Sequence, residues 1–210
     1  MSEADAKELI TSLTNVSRET MCKLETYATL LEKWNPTINL VSKTTLSEKW
    51  QRHFLDSAQI WAHVPSTTTS WADIGSGAGF PGLVLAIVAS EKRPELRITL
   101  IESDARKCAF LRNTARAVGV DVHILTQRIE AVENQQFDVV SARALASISQ
   151  LLTYCDKILA SNGNCLFLKG QGCDTELEAA RQSHSFSAET FPSVTQQEAR
   201  IVKITGIAQK

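Results

Sequence analysis

Apolar residues recur at three- and four-residue intervals along the first third of the chain, which is the spacing of amphipathic helices. One stripe predicts a helix that begins after Ser17 and ends before Pro36. A second stripe predicts another helix over residues 45–64, which Pro65 ends. Residues 1–65 are therefore expected to form an N-terminal helical extension.

From residue 70 onwards, short apolar runs alternate with amphipathic segments. The runs typical of strands are "WADI", "RITLIE", "VHILT", "FDVVSA" and "NCLFLKG". Such alternation predicts βαβ units and a mostly parallel sheet covered on both faces. Two later runs, "AETFPSV" and "ARIVKITGI", have no helix between them and predict an antiparallel C-terminal edge. We expect an α/β fold in which residues 70–210 form one domain, packed with the extension as a compact unit.

The composition permits one substantial core, since 43% of the 210 residues are hydrophobic. The 22 Lys and Arg residues nearly balance the 23 Asp and Glu residues, and the formal net charge is -1. A general nucleic-acid binder usually carries a strong positive charge. Any contact with RNA therefore requires a local basic patch.

The five cysteines are odd in number and include no C-x-x-C pair, which argues against a disulfide framework and a structural zinc site. The start of the chain is acidic and lacks the basic and apolar regions of a signal peptide. The densest apolar run, "GLVLAIVA", is too short to span a bilayer. We expect a cytoplasmic protein without a metal or a membrane anchor.

A glycine-rich loop, "DIGSGAGFPG", follows the first predicted strand. Residues 77–82 satisfy the dinucleotide pattern G-x-G-x-x-G, so an NAD-dependent oxidoreductase is one alternative. The register argues against it. A tight turn after a strand that ends near Ile74 should use Gly75, and the third glycine position is then Phe80.

The charge of Asp73 argues in the same direction. Its carboxylate would repel a pyrophosphate but attract a cationic ligand. S-adenosylmethionine carries an ammonium, a sulfonium and one carboxylate. We therefore expect Asp73 to bind the ammonium of this cofactor, with Gly75, Gly77 and Gly79 allowing its close approach.

Further candidates for cofactor contacts follow the next two strands. Glu102 ends the second strand, at the distance where an acid binds the ribose hydroxyls of an adenosine ligand. Ile129 and Glu130 follow the third strand, where an apolar residue and an acid can contact the adenine. Glu102 suits NAD and S-adenosylmethionine equally and does not discriminate between them.

The fourth strand, "FDVVSARAL", narrows the choice of methyl acceptor, because two motifs typical of other acceptors are absent from it. It has neither the Asn/Asp-Pro-Pro-aromatic turn that suits an exocyclic amine nor the cysteine that attacks a pyrimidine. An acceptor that is nucleophilic without deprotonation, such as a purine ring nitrogen, needs positioning alone. Arg143 at the strand end is expected to orient the cofactor or a guanine edge, and no general base is predicted.

Several blocks in this order resemble the RsmG (GidB) family of bacterial 16S rRNA guanine-N7 methyltransferases: "RHFLDS", "DIGSGAGFPG", "RKCAFL", "FDVVSARA" and "LKGQ". The similarity covers nearly the whole chain. It implies a Rossmann-like methyltransferase fold with an N-terminal helical extension, and S-adenosylmethionine as the methyl donor. The implied acceptor is N7 of one guanosine in the conserved decoding-region loop of 16S rRNA.

The resemblance also implies which residues contact the cofactor. By motif these are Gly75, Phe80, Ile129, Glu130 and Arg143, with Glu102 at the ribose position. Two departures from the family pattern occur. The acid after the second strand is Glu rather than the commoner Asp, and Ala131 follows Glu130 where some relatives have an acid.

Guanine and phosphate recognition requires cationic side chains. The candidates for RNA contacts are Arg52, His53, Arg106, Lys107 and Lys169. His53 matches the family block and is, with Arg143, a candidate for positioning the target, while Asp56 is expected to fix the tautomer of His53. The expected partner is 16S rRNA or the small ribosomal subunit. A non-catalytic ribosome assembly factor is a further alternative; the oligomeric state stays open, with a monomer expected.

Overall fold

The computed structural model describes residues 1–210. Helical segments fill most of the first 63 residues, as the apolar stripes predict. They are α1 (Glu3–Thr14), α2 (Arg18–Ile38), α3 (Lys43–Leu46), a π-helical turn (Trp50–Leu55), α4 (Asp56–Ala58) and a 3₁₀ turn (Gln59–His63). The sequence did not indicate α1 separately.

Helix α2 begins as predicted and ends later than predicted. Ser17 is its N-cap, and its side chain accepts a hydrogen bond from the Thr20 amide. The predicted end before Pro36 is wrong, because the helix continues to Ile38. Proline removes one backbone donor, but Asn35 holds the last turn: its carbonyl accepts from the Asn39 amide and its side chain accepts from the Val41 amide.

The second predicted helix is wrong as a regular element, because the chain changes helix type three times between residues 43 and 63. The apolar stripe survives these changes, since Trp50, Phe54, Leu55 and Ala58 are all buried. A hydrophobic stripe therefore located the segment but did not reveal the π-helical turn. Such turns are frequent at functional sites.

Seven strands form one sheet in the order β3-β2-β1-β4-β5-β7-β6. They are β1 (Ser70–Ile74), β2 (Arg97–Glu102), β3 (His123–Thr126), β4 (Phe137–Arg143), β5 (Leu159–Lys169), β6 (His184–Pro192) and β7 (Arg200–Gln209). The first five strands pair in parallel, and β7 runs antiparallel to both β5 and β6. These pairings confirm the predicted parallel sheet and its antiparallel C-terminal edge. The strand order reverses between β1 and β4, which is where ligands bind in such sheets.

Helices cover both faces of the sheet. They are α5 (Gly82–Lys92), α6 (Ala105–Val118), α7 (Ile148–Ile158) and α8 (Cys173–Ala180), of which α8 was not predicted. The larger core lies on one face and joins the N-terminal helices to α5 and α6, for example through Tyr27, Leu83 and Phe110. The second core lies under α7 and α8. The division into an extension and a domain stays a prediction.

No helix combines the length and apolar character that a membrane crossing requires. No cluster of three or more His, Cys, Asp or Glu side chains is arranged to hold a metal ion.

Candidate cofactor and substrate site

Two neighbouring cavities open at the carboxyl ends of the parallel strands, and Arg143 and Ala144 line both of them. The glycine-loop cavity has a volume of about 310 Å³, and its other walls include Gly75, Gly77, Glu102, Ile129, Glu130 and Tyr154. The basic cavity has a volume of about 340 Å³, and its other walls include Arg52, His53, Asp56, Lys169, Thr195 and Arg200. A ligand in one cavity would therefore lie beside a ligand in the other.

The glycine loop turns from β1 towards β2. The amides of Gly75 and Ser76 both donate to the Ile101 carbonyl oxygen, over 2.9 and 3.1 Å. Gly75 and Gly77 have φ angles of 66° and 56°, in the left-handed region that favours glycine. A Cβ atom on Gly75 would lie 2.6 Å from Leu145 Cδ1, which is the flexible end of an exposed side chain, so the left-handed φ angle is the stronger reason for glycine here.

Glu102 fixes this loop to the start of α6. One carboxylate oxygen accepts from the Gly77 amide over 2.8 Å, and the other accepts from the Asp104 amide over 2.8 Å. The side chain is nearly buried and lies in the wall of the glycine-loop cavity. Glu102 therefore lies at the end of β2 in the cavity wall, as the sequence predicted, and its contact with the ribose stays a prediction.

Asp73 points away from both cavities. Side chains along β1 alternate between the two faces of the sheet: Trp71 belongs to the core under the N-terminal helices, and Ala72 belongs to the core under α7. Asp73 lies two residues after Trp71 and therefore faces the start of α5. It is fully buried.

Both carboxylate oxygens of Asp73 have protein donors. Oδ1 accepts from Ser141 Oγ over 2.7 Å, and Oδ2 accepts from the Gly82 amide over 3.2 Å. Burial raises the pKa of Asp73 to about 6, against the opposing effect of these hydrogen bonds. The geometry gives Asp73 the role of a cap at the N-terminus of α5, and does not bring it to the position of a ligand ammonium.

Gly79 and Phe80 lie beneath the site and do not line either cavity. A Cβ atom on Gly79 would lie 2.7 Å from the Tyr27 hydroxyl oxygen. The Phe80 ring is almost buried and stacks on Tyr27 at 5.3 Å and on His53 at 5.0 Å between ring centroids. The Arg143 guanidinium lies 5.1 Å from the centre of the Phe80 ring. Phe80 therefore supports Arg143 and His53 from below.

Ile129 and Glu130 form a 3₁₀ turn at the mouth of the glycine-loop cavity. Its own backbone amide lowers the pKa of Glu130, and the nearby Tyr154 hydroxyl acts in the same direction. Tyr154 comes from α7 and lines the same cavity. The sequence did not single out Tyr154; its only signal was an aromatic residue at the edge of the apolar stripe of α7.

Arg143 joins the end of β4 to the π-helical turn. Its Nη1 atom donates to the Arg52 carbonyl oxygen and to His53 Nδ1, both over 3.0 Å. Because Nδ1 accepts, the proton of the His53 ring lies on Nε2 and points to Thr45 Oγ1 over 3.0 Å. Burial lowers the pKa of His53 to about 3, and the positive charges of Arg143 and Arg52 act in the same direction. His53 is therefore neutral.

Asp56 does not fix the tautomer of His53, and that prediction is wrong because Thr45 takes the ring proton. The wider turn of a π-helix separates residues that share a face of an α-helix at three-residue spacing. Asp56 Oδ1 instead accepts from Thr195 Oγ1 over 2.9 Å, and Oδ2 lies 3.5 Å from Arg143 Nη1. Burial raises the pKa of Asp56, and the charge of Arg143 opposes that shift.

Lys169 and Arg200 lie opposite each other on β5 and β7, in the wall of the basic cavity. Lys169 Nζ donates to the Ala146 carbonyl over 2.9 Å and forms an ion pair with Glu176 over 2.8 Å. It therefore also holds the loop that follows β4. Arg200 was not predicted as a site residue, since only the strand register brings it beside Lys169.

The two basic candidates at the start of α6 have different surroundings. Lys107 lines the glycine-loop cavity. Arg106 lines neither cavity: its side chain is 71% exposed and pairs with Asp104 over 3.3 Å. The structure brings Arg52, His53 and Lys169 together and leaves Arg106 outside this group.

Comparison with known proteins identifies the family. The model of a family described as "GidB: rRNA small subunit methyltransferase G" matches residues 20–202. A Ribosomal RNA small subunit methyltransferase G from a Ruegeria species is 47% identical over 193 residues, which cover 92% of this chain and 94% of that protein. The protein of the same name from Parvibaculum lavamentivorans is 47% identical over 202 residues, covering 95% of this chain and 89% of that protein.

Solved structures agree on the fold. A SAM-dependent methyltransferase from Aquifex aeolicus has a TM-score of 0.58 at 10% identity and covers 76% of this chain and 93% of that one. An MtNAS variant in complex with S-adenosylmethionine has a TM-score of 0.58 at 16% identity and covers 87% of this chain and 71% of that one. The fold is that of Rossmann-like S-adenosylmethionine-dependent methyltransferases, and the chain belongs to the rRNA small subunit methyltransferase G family.

Proposed function

We propose that this protein transfers the methyl group of S-adenosylmethionine to N7 of a guanosine in the conserved decoding-region loop of 16S rRNA. The observation that carries this proposal is the pair of cavities that meet at Arg143 and Ala144. One is bordered by a glycine loop at the carboxyl end of β1, and the other has several cationic side chains. Membership of the family supports small-subunit rRNA as the substrate.

The glycine-loop cavity fits the cofactor. Gly75, Gly77, Glu102, Ile129 and Glu130 all line it. In the proposed complex, the glycines allow close approach of the cofactor, Glu102 accepts from the ribose hydroxyls, and Ile129 and Glu130 border the adenine. The bound cofactor supplies a methyl group activated by its sulfonium. Asp73 contributes indirectly, because it ties the glycine loop and α5 to β4.

The chemistry at N7 requires positioning rather than proton removal. As the new nitrogen–carbon bond forms, the carbon–sulfur bond breaks and the positive charge passes to the purine, so no proton leaves N7. His53 is neutral and its two ring nitrogens are already hydrogen-bonded, which supports a positioning role. Holding the two reactants in line accounts for much of the rate gain in such reactions.

The basic cavity is the proposed RNA-binding face. Arg52, Lys169 and Arg200 line it, and Arg143 lines both this cavity and the glycine-loop cavity. These side chains suit phosphate oxygens and guanine O6, both of which are acceptors. Lys107 borders the cofactor side, and Arg106 is an outlying contact to the RNA backbone. We expect the protein to act in the cytoplasm as a monomer, on 16S rRNA or on the small subunit.

The oxidoreductase alternative has little support, because Gly79 and Gly82 of the G-x-G-x-x-G match do not line the cavity. Gly79 packs against Tyr27, and the Gly82 amide donates to Asp73. A non-catalytic assembly factor would bind RNA in the absence of the cofactor and would catalyse no methyl transfer.

The test is incubation of the purified protein and S-adenosylmethionine with unmethylated 16S rRNA, both naked and in small subunits, followed by mass spectrometry of the nucleosides. We expect 7-methylguanosine at one position. Absence of this nucleoside from both substrates would refute the proposal, and stabilisation by NADH alone would favour the oxidoreductase. RNA binding without turnover would favour the assembly factor.

A further inference from the structure

Asp56 is the acidic group beside Arg143 in the basic cavity. We propose that Asp56 determines specificity for guanine by accepting hydrogen bonds from N1–H and the 2-amino group of the target base, while Arg143 donates to O6. This inference rests on the proposed methylation of guanine N7.

Arg143 has donors to offer. Two hydrogen bonds engage its Nη1 atom, with the Arg52 carbonyl and His53 Nδ1. Its Nε and Nη2 hydrogens remain for a ligand. The contact with the Phe80 ring and the bonds to the π-helical turn hold the guanidinium in place.

Asp56 has an acceptor to offer. Thr195 Oγ1 and Gln59 Nε2 both donate to Oδ1, each over 2.9 Å, and so hold the carboxylate in one orientation. Oδ2 has only the 3.5 Å contact with Arg143. A carboxylate oxygen can accept two hydrogen bonds, so Oδ2 can receive guanine N1–H and the 2-amino group.

The order of groups around guanine matches the order of groups in the protein. Along the base edge, O6 lies between N7 and N1–H, and the 2-amino group follows. Arg143 borders both cavities, whereas Asp56 borders only the basic cavity. With O6 on Arg143 and N1–H on Asp56, N7 points towards the glycine-loop cavity and its lone pair stays free for the methyl group.

This arrangement rejects adenine, which presents an amino group to Arg143 and an acceptor nitrogen to Asp56. One contact would then place two donors against each other, and the other would place two acceptors against each other. The hydrogen bond from guanine N1–H to Asp56 also becomes stronger during the reaction. Positive charge that develops on the purine makes N1–H a stronger donor, so the contact with Asp56 contributes to kcat as well as to KM.

The experiment compares 16S rRNA with guanosine or inosine at the target position, because inosine lacks only the 2-amino group. The measured quantity is kcat/KM for methyl transfer. We expect the wild type to prefer guanosine by about tenfold and Asp56→Asn to lower kcat/KM on guanosine by about ten- to a hundredfold. In the variant, the ratio of guanosine to inosine should fall close to one.

The matched control is Glu176→Gln, which alters the other carboxylate that lines the basic cavity. This variant should keep the preference for guanosine whatever its effect on rate. Asn keeps an oxygen for Thr195 and Gln59, and S-adenosylmethionine binding by Asp56→Asn shows that the fold is intact.

Equal rates of the wild type on guanosine and inosine would overturn the inference, and this comparison does not depend on the folding of any variant. A preference lost in Glu176→Gln but kept in Asp56→Asn would also overturn it. Formation of 7-methylguanosine without a preference for guanosine refutes this inference alone. Absence of 7-methylguanosine in the wild type refutes the proposed function itself.

Discussion

Asp73 shows at the scale of one residue how a carboxylate can shape a binding loop without touching its ligand. It is fully buried, yet its two oxygens accept from Ser141 and from the amide at the N-terminus of α5. Asp73 precedes the glycine loop and Gly82 follows it, so the hydrogen bond between them joins the two ends of the loop. Its charge also faces the favourable end of a helix dipole.

We expect Asp73→Ala to lower the free energy of unfolding by about 1–3 kcal/mol, because it leaves the Ser141 hydroxyl and the Gly82 amide buried without an acceptor. S-adenosylmethionine should bind more weakly, because the loop loses its closure. Denaturant unfolding and isothermal titration measure the two effects. Asp121→Ala, on an exposed residue before β3, is the control and should change neither. An unaltered cofactor affinity in stable Asp73→Ala would contradict this role.

At the scale of elements, a carboxylate of α5 fastens α2 to the rest of the molecule. Glu91 accepts from the Ser17 amide over 2.9 Å, from the Ser17 hydroxyl over 2.8 Å and from the Thr20 hydroxyl. These bonds, that of Thr20 first, lower the pKa of Glu91 to about 2. The first turn of α2 is thus capped both by Ser17 and by a distant side chain.

We expect Glu91→Gln to destabilise the protein by about 1 kcal/mol at neutral pH, a modest cost because solvent screens this partly exposed carboxylate. The pKa of Glu91 is depressed in the folded state, so its contribution is present above about pH 4.5, the ordinary value. It is lost as the pH falls towards about 2. Thermal unfolding across this range should show a shallower acid dependence in the variant.

Glu95→Gln is the matched control for Glu91→Gln, since Glu95 is an exposed residue shortly after α5. It should stay within about 0.5 kcal/mol of the wild type. Equal effects of the two substitutions would show that the cap on α2 contributes nothing measurable.

At the scale of the whole molecule, a chain with a formal net charge of -1 concentrates cations around one cavity. Four segments supply them: the π-helical turn contributes Arg52, β4 contributes Arg143, β5 contributes Lys169 and β7 contributes Arg200. A balanced overall charge therefore does not prevent local attraction of RNA.

We expect Arg52→Gln to raise the Kd for rRNA by about three- to tenfold. The slope of log Kd against the logarithm of the salt concentration should fall by about one. S-adenosylmethionine binding should be nearly unaffected, because Arg52 does not line the glycine-loop cavity. Binding titrations at several salt concentrations give both quantities. Arg116→Gln, on the exposed face of α6, is the control, and an equal loss of affinity there would assign RNA binding to a different surface.

The amino-acid sequence predicted the alternation of strands and helices, the parallel sheet, its antiparallel edge and the place of the glycine loop. It did so because these features follow from local periodicity and from glycine at a tight turn. The ends of the third and fourth strands also indicated Ile129, Glu130 and Arg143, which the family blocks include and which the structure places around the glycine-loop cavity.

The direction of Asp73, the π-helical turn around His53 and the contact of Asp56 with Arg143 depend on three-dimensional packing and could not be predicted from the sequence. A charge pattern states which side chains are present but not which face of a strand they take or which helix end they meet. Asp56 of α4 lies within 3.5 Å of both Arg143 of β4 and Thr195 before β7, because packing and strand register bring these distant stretches of the chain together. Most residues of the glycine-loop cavity follow the ends of parallel strands, so their meeting could be predicted from the strand pattern, whereas the basic cavity depends on the packing of segments that no strand pattern relates.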